Sequence, residues 1–155
     1  MRETATLWWD DALPGIRFID QTLLPTQYVI AECITVDRLI TAIKRLEIRG
    51  APALGVAGGY GVALAAITCT GSSPDAFVRE VRHEAGRIRE SRPTAVNLSW
   101  GVDRVLARVL AAPGAASAQK AALDEAKAIA VEDTRCCHAI GDYGAALLPD
   151  QCTVL

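Results

Sequence analysis

Over the first 34 residues the apolar positions fall in short β-branched and aromatic runs, at 6–9, 16–20 and 27–30. Asp10-Asp11 with Pro14-Gly15 separates the first two runs, and Leu24-Pro25-Thr26 separates the others. That punctuation predicts a small antiparallel sheet. From residue 36 the period becomes helical. Val36, Leu39, Ile40, Ile43 and Leu46 make one stripe behind Thr35 as N-cap, with Asp37 in the first turn, so a helix is expected over 36–47 and Gly50 as its stop. Pro52 suits the first turn of a second helix through the Gly/Ala-rich run. Gly55, Gly58, Gly59 and Gly61 each cost that helix about 1 kcal/mol against Ala, which close approach of neighbouring backbones would offset.

Ser73 and Pro74 open a third helix whose inner face is Phe77, Val78, Val81 and Ile88, broken at 91–93. A fourth is expected over 94–111, turning Val102, Val105, Leu106 and Val109 inward. After Pro113-Gly114, Ser117 caps a long helical stretch toward 148, with Gly141 and Gly144 as candidate bends. Pro149-Asp150 ends it, and 152–155 reads as a strand without a partner in the sequence that remains. The class is α+β: a sheet over 1–34, a helical bundle over 35–148 and a final strand over 149–155.

Composition narrows the function classes. A chain of 155 residues suits one domain, and 27 alanines against 5% aromatic residues point to a core of closely packed helices. A net charge of -2 gives no pull toward nucleic acid. Residues 50–74 carry no charge and Gly55 and Gly59 form a GxxxG pair, but Gly and Ala dominate, which favours a buried helix over a membrane span. The N-terminal MRETATLWWDD lacks the apolar core of a signal peptide. Five cysteines without a CxxC read as reduced, mostly buried thiols of a cytoplasmic protein, with no metal site.

The candidate chemistry lies at two helix starts. In 48–55, Arg49 and the backbone of Gly50 and Ala51 precede a helix N-terminus, where free N–H groups favour an anion. In 91–97, Arg92 stands just ahead of Pro93 at another start. Two such arginines suggest convergence on one anionic ligand, although a solvated Arg beside a turn satisfies either stretch. Neither is a phosphate loop, and Gly59-Tyr60-Gly61 lacks the third Gly of a dinucleotide fingerprint. His83 reads as solvated, Glu132-Asp133 as an exposed helical face, and Cys136, Cys137 and His138 as separated around a helix. Cys152 reads as a core thiol.

The motif IRGAPALGVAGGYGVALAA resembles the signature of the methylthioribose-1-phosphate isomerase family, grouped with ribose-1,5-bisphosphate isomerases and the regulatory subunits of the translation-initiation exchange factor. IDQTLLP, SRPTAVNLSWGVDR and VEDTRCCHAIGDYGAALLP extend the likeness, in order, over essentially the whole chain. The resemblance implies that Arg49, Gly50, Ala51 and Arg92 bind a sugar phosphate. It implies an aldose–ketose isomerase of methionine salvage, with no metal or other cofactor and a homodimer when complete. The family's catalytic Cys and Asp lie beyond the strand matched by Thr153-Val154-Leu155, and Cys152 precedes the catalytic position. No residue here is therefore assigned a catalytic role. The chain is expected to be the N-terminal half, inactive alone, with 149–155 as the first strand of a Rossmann-like domain that is otherwise absent.

Overall fold

A computed structural model describes residues 5–153. Three strands, β1 (Leu7–Asp10), β2 (Gly15–Ile19) and β3 (Ile30–Cys33), form an antiparallel meander in the order β1-β2-β3. Leu7 pairs with Phe18, and Ile16 with Cys33, so Leu7, Trp9, Ile16, Phe18 and Cys33 share a buried face against the helices. The third strand thus lies three residues later than the apolar run at 27–30 suggested. Tyr28 and Val29 are exposed, because pairing with Ile16 and Phe18 sets the register rather than local hydrophobicity.

Helix α1 (Val36–Lys44) starts as expected, with the Thr35 hydroxyl accepting from the Arg38 N–H at 3.2 Å. It ends before 47. Leu46 adopts a φ of 62° and is exposed, outside the stripe that buries Val36, Leu39, Ile40 and Ile43. Gly50 does not stop α1; it is the N-cap of α2 (Ala51–Thr68). α3 (Pro74–Glu90) is capped by Ser73, whose hydroxyl accepts from the Ala76 N–H. α4 (Val96–Ala111) begins two residues later than expected, on Ala95 rather than Thr94, and also buries Leu98 and Gly101. α5 (Ala115–Ala145) is one unbroken helix from the N-cap Gly114 through Gly141 and Gly144. Ser117 lies in its first turn, donating to the Gly114 carbonyl rather than capping.

α2 is the axis of the bundle, packed against all four other helices and β1. It is long and apolar enough to cross a membrane, yet 78% of it is buried inside the protein, as a core helix is. Its glycines are the reason the others come close. A Cβ on Gly58 would stand 2.5 Å from the Leu98 carbonyl oxygen, and one on Gly101 of α4 would stand 2.0 Å from that of Gly55. On α5, Ala118, Ala122, Ala126 and Ile129 are buried, but every residue from 134 to 153 is exposed. Cys136, Cys137 and Cys152 are therefore exposed rather than buried. Cys33 is buried and Cys69 partly so, and all five are free thiols. Residues 149–153 form no regular element, and Val154 and Leu155 lie outside the described residues, as do the first four residues of the N-terminal segment.

Candidate anion-binding site

The crossing of α2 and α4 brings their N-termini to a common opening. A cavity of about 380 Å³ is lined by Gly50, Ala51 and Leu54 from the start of α2, and by Arg92, Thr94, Ala95, Val96 and Asn97 from the start of α4. Of the four residues expected to bind, Gly50, Ala51 and Arg92 thus meet in one place. Arg49 lies just outside this lining, exposed, on the segment that leads into Gly50. Thr94 and Asn97 join them; the signal was their place in the same SRPTAVN stretch as Arg92.

Both helix ends are left electropositive. Neither Gly50 nor Ala95 caps its helix with a side chain, and neither first turn holds an acid. α1 and α3, whose starts lie elsewhere, carry both a hydroxyl cap and an aspartate, Asp37 and Asp75. The early N–H groups of α2 and α4 thus keep free hydrogen-bonding capacity at the positive ends of two macrodipoles. α5 also starts without a cap or acid, but away from this opening. Gly50 has a φ of 96°, a conformation that glycine adopts without a Cβ penalty, and this turn aims the chain into α2.

The arginines are similarly unencumbered. Among the described residues neither Arg49 nor Arg92 enters an ion pair, whereas Arg38, Arg87 and Arg104 each do. The Arg49 carbonyl accepts from Gln21 Nε2 at 3.2 Å, which holds the backbone and leaves the guanidinium to solvent.

A second cavity of about 430 Å³ adjoins the first, sharing Val96 and Asn97. Pro52, Gly55, Trp100 and Ile129 give it an apolar wall, and Glu132, Asp133 and Cys136 of α5 give it an acidic side. Arg104 lies over the Trp100 ring, 5.4 Å from its centroid, and is bound by Glu125 and Glu132. Burial alone would raise the pKa of Glu125, but hydrogen bonds from Arg104 and Arg108 outweigh it and hold the carboxyl below its ordinary range. The Arg104 hydrogen bond does the same for Glu132. His83 is largely exposed beside Glu84. No cluster of three metal-ligating side chains occurs among the described residues.

Fold and site together define an α+β domain in which two uncapped helix starts share a cavity, with a second, more apolar cavity beside it. The sequence matches the model of the Initiation factor 2 subunit family over residues 47–155, and the chain belongs to that family. A protein of Methanosarcina acetivorans named putative methylthioribose-1-phosphate isomerase is 44% identical over 150 residues, covering 97% of this chain and 43% of the relative. The methylthioribose-1-phosphate isomerase of Desulfosudis oleivorans is 43% identical, over 94% of this chain and 39% of its own.

Two solved structures share the fold. The 5-methylthioribose 1-phosphate isomerase of Pyrococcus horikoshii superposes with a TM-score of 0.89 at 31% identity, over 97% of this chain and 42% of that one. A structure from A. fulgidus described as translation initiation factor eIF-2B, subunit delta, gives 0.86 at 41% identity, over 94% and 42%. The chain thus spans about two-fifths of the length of the relatives it matches.

Proposed function

We propose that this chain is the substrate-holding portion of a methylthioribose-1-phosphate isomerase, with Arg49, Gly50, Ala51 and Arg92 holding the sugar phosphate. The observation that carries the reading is the meeting of two uncapped, acid-free helix starts with Arg92 at one cavity. An exchange-factor regulatory surface has no need of that arrangement. The names of the relatives divide between isomerase and initiation factor, and the site chemistry supports the isomerase reading.

The overall change from aldose 1-phosphate to ketose 1-phosphate is redox-neutral within one molecule. C2 passes from alcohol to ketone while C1 is reduced. Holding the phosphate fixes the sugar relative to whatever groups move the hydrogen, which is an orientational contribution. Acid and base groups are needed in addition, and the remaining polypeptide of the relatives is where this reading places them.

The adjoining cavity bears on which sugar is accepted. Its apolar wall at Trp100 and its carboxylate at Asp133 suit an uncharged, thioether-bearing end and oppose a second phosphate. This favours methylthioribose 1-phosphate over ribose 1,5-bisphosphate. The test joins this chain to the remaining part of the Methanosarcina relative and assays both sugar phosphates. Conversion of the methylthio sugar, raised KM on Arg92→Ala and no turnover by the isolated chain are expected. Equal use of the bisphosphate would remove the substrate assignment, and unchanged KM in Arg92→Ala would remove the binding role.

A further inference from the structure

The buried polar or charged residues among those described are Glu47 and Ser91, and each stands just ahead of a candidate phosphate-holding arginine, Arg49 or Arg92. Ser91 is satisfied locally, its hydroxyl donating to the Ile88 carbonyl at 2.6 Å. Glu47 is held by Arg38 of α1 and by its near neighbour Arg45. Its Oε2 lies 2.5 Å from Arg38 Nη2 and its Oε1 lies 3.3 Å from Arg45 Nε. The same segment is tied through its backbone. The Glu47 N–H donates to the Ala42 carbonyl at 2.9 Å, and the Glu47 carbonyl accepts from the Gln21 N–H at 3.0 Å. Arg38 in turn lies over the Phe18 ring, 5.5 Å from its centroid.

A buried carboxylate stays charged only if it is paired. Glu47 and Arg49 are two residues apart, with Cα atoms at most about 7 Å from each other, so a carboxylate released from Arg38 has Arg49 within reach as well as its present partner Arg45. Yet the observed partners of Glu47 are Arg38 and Arg45, and Arg49 enters no ion pair. We propose that Arg38 is a positioning residue for the anion site. By engaging the Glu47 carboxylate inside the fold, it keeps the neighbouring Arg49 guanidinium free for phosphate. The inference rests on the reading of this pocket as a phosphate holder.

The 155-residue chain is titrated with inorganic phosphate while the amide resonances of Gly50, Ala51 and Asn97 are followed by NMR. Arg38→Met should weaken phosphate binding by roughly three- to fivefold, the scale of one partly screened charge pair. The double variant Arg38→Met/Glu47→Gln should recover wild-type affinity, because no carboxylate remains to occupy Arg49. In an Arg49→Ala background, Arg38→Met should have no further effect. A merely structural role gives the opposite order, with the double variant as weak as the single or weaker. Glu47→Gln alone covers the case in which Arg38→Met does not fold. Its neutral amide keeps an acceptor for Arg38, and it should bind phosphate at least as well as wild type.

Undiminished binding in Arg38→Met, or weakened binding in Glu47→Gln, overturns the inference. If wild type binds phosphate and Arg92→Ala does not, the site reading stands whatever Arg38 does. If wild type itself fails to bind, the site reading falls and the inference with it.

Discussion

Replacing Gly101 by Ala tests whether the small-residue seam between α2 and α4 sets the geometry of the pocket. The added Cβ would stand 2.0 Å from the Gly55 carbonyl oxygen, 2.9 Å from its carbon and 3.2 Å from the Gly59 nitrogen. Ordinary carbon–oxygen contacts between close backbones lie near 3.3–3.6 Å, so the helices must part by more than about 1 Å. Alanine returns about 1 kcal/mol of helix propensity, against roughly 1–3 kcal/mol for overpacking, occasionally more. The upper end applies here, because the obstacle is the backbone of the central helix and no rotamer can relieve it. Parting also thins the dispersion contacts along the seam. The expected net loss is about 2 kcal/mol, or a Tm lower by roughly 4–8 °C for a domain of this size. Gly86 of α3 is the matched control. No atom lies within 4 Å of its would-be Cβ, so Gly86→Ala should raise Tm by about 2–4 °C on propensity alone. Far-UV circular dichroism during thermal and urea unfolding reads both. A Gly101→Ala chain as stable as wild type would refute the packing argument.

Thiol chemistry follows burial. Desolvation pushes the Cys33 thiol up to about 12, so at pH 8 an aromatic disulfide reagent should modify Cys136, Cys137 and Cys152 quickly and Cys33 only on unfolding. Acid should weaken the α4–α5 contact. Glu125 and Glu132 have folded pKa values below their unfolded ones, so their contribution is present above the ordinary carboxylate range and is lost as pH falls through the depressed values. Urea midpoints measured between pH 6 and 3 should fall, and Arg104→Met should flatten that dependence. Ala95→Asp gives α4 both a cap and a first-turn negative charge. It should stabilise the chain by about 1 kcal/mol in urea unfolding while weakening inorganic phosphate in the NMR titration.

Several features fixed within one turn of chain were legible in the sequence, though not the start of α5, where Gly114 and not Ser117 is the N-cap. Thr35 and Ser73 cap their helices as read, Pro52 and Pro74 sit in first turns, and the apolar stripes of α1 and α3 face the core. Features fixed by a distant partner were not. β3 takes its position from pairing with β2, and the Asp20 N–H donates to the Val29 carbonyl outside the ladder, so the apolar run at 27–30 misplaces it. The helix expected over 36–47 included Glu47, which instead lies buried beyond the end of α1, its carboxylate on Arg38 and its carbonyl accepting from the Gln21 N–H. Cysteine statistics favour burial, but the far half of α5 extends past the residues that cover its first half, and Cys136 and Cys137 go with it.

The two arginine motifs stood out in sequence without the reason they belong together. That reason lies in glycines whose purpose the sequence left general. Four of them weaken α2 as a helix, yet Gly55, Gly58 and Gly59 let α4 lie against it, and Gly101 answers from the other side. The approach places Gly50 and Ala51 beside Ala95 and Asn97, two helix turns or less from the seam. At those ends the chain forgoes the hydroxyl caps and aspartates that α1 and α3 carry, giving up about 1 kcal/mol at Ala95 and only a few tenths at Gly50. In the proposed reading, an anion between the two ends would restore what the missing caps would have supplied, and ligand binding and helix capping would draw on the same N–H groups. For that reason Ala95→Asp should move stability and phosphate affinity in opposite directions, whereas a variant that merely damages the fold lowers both.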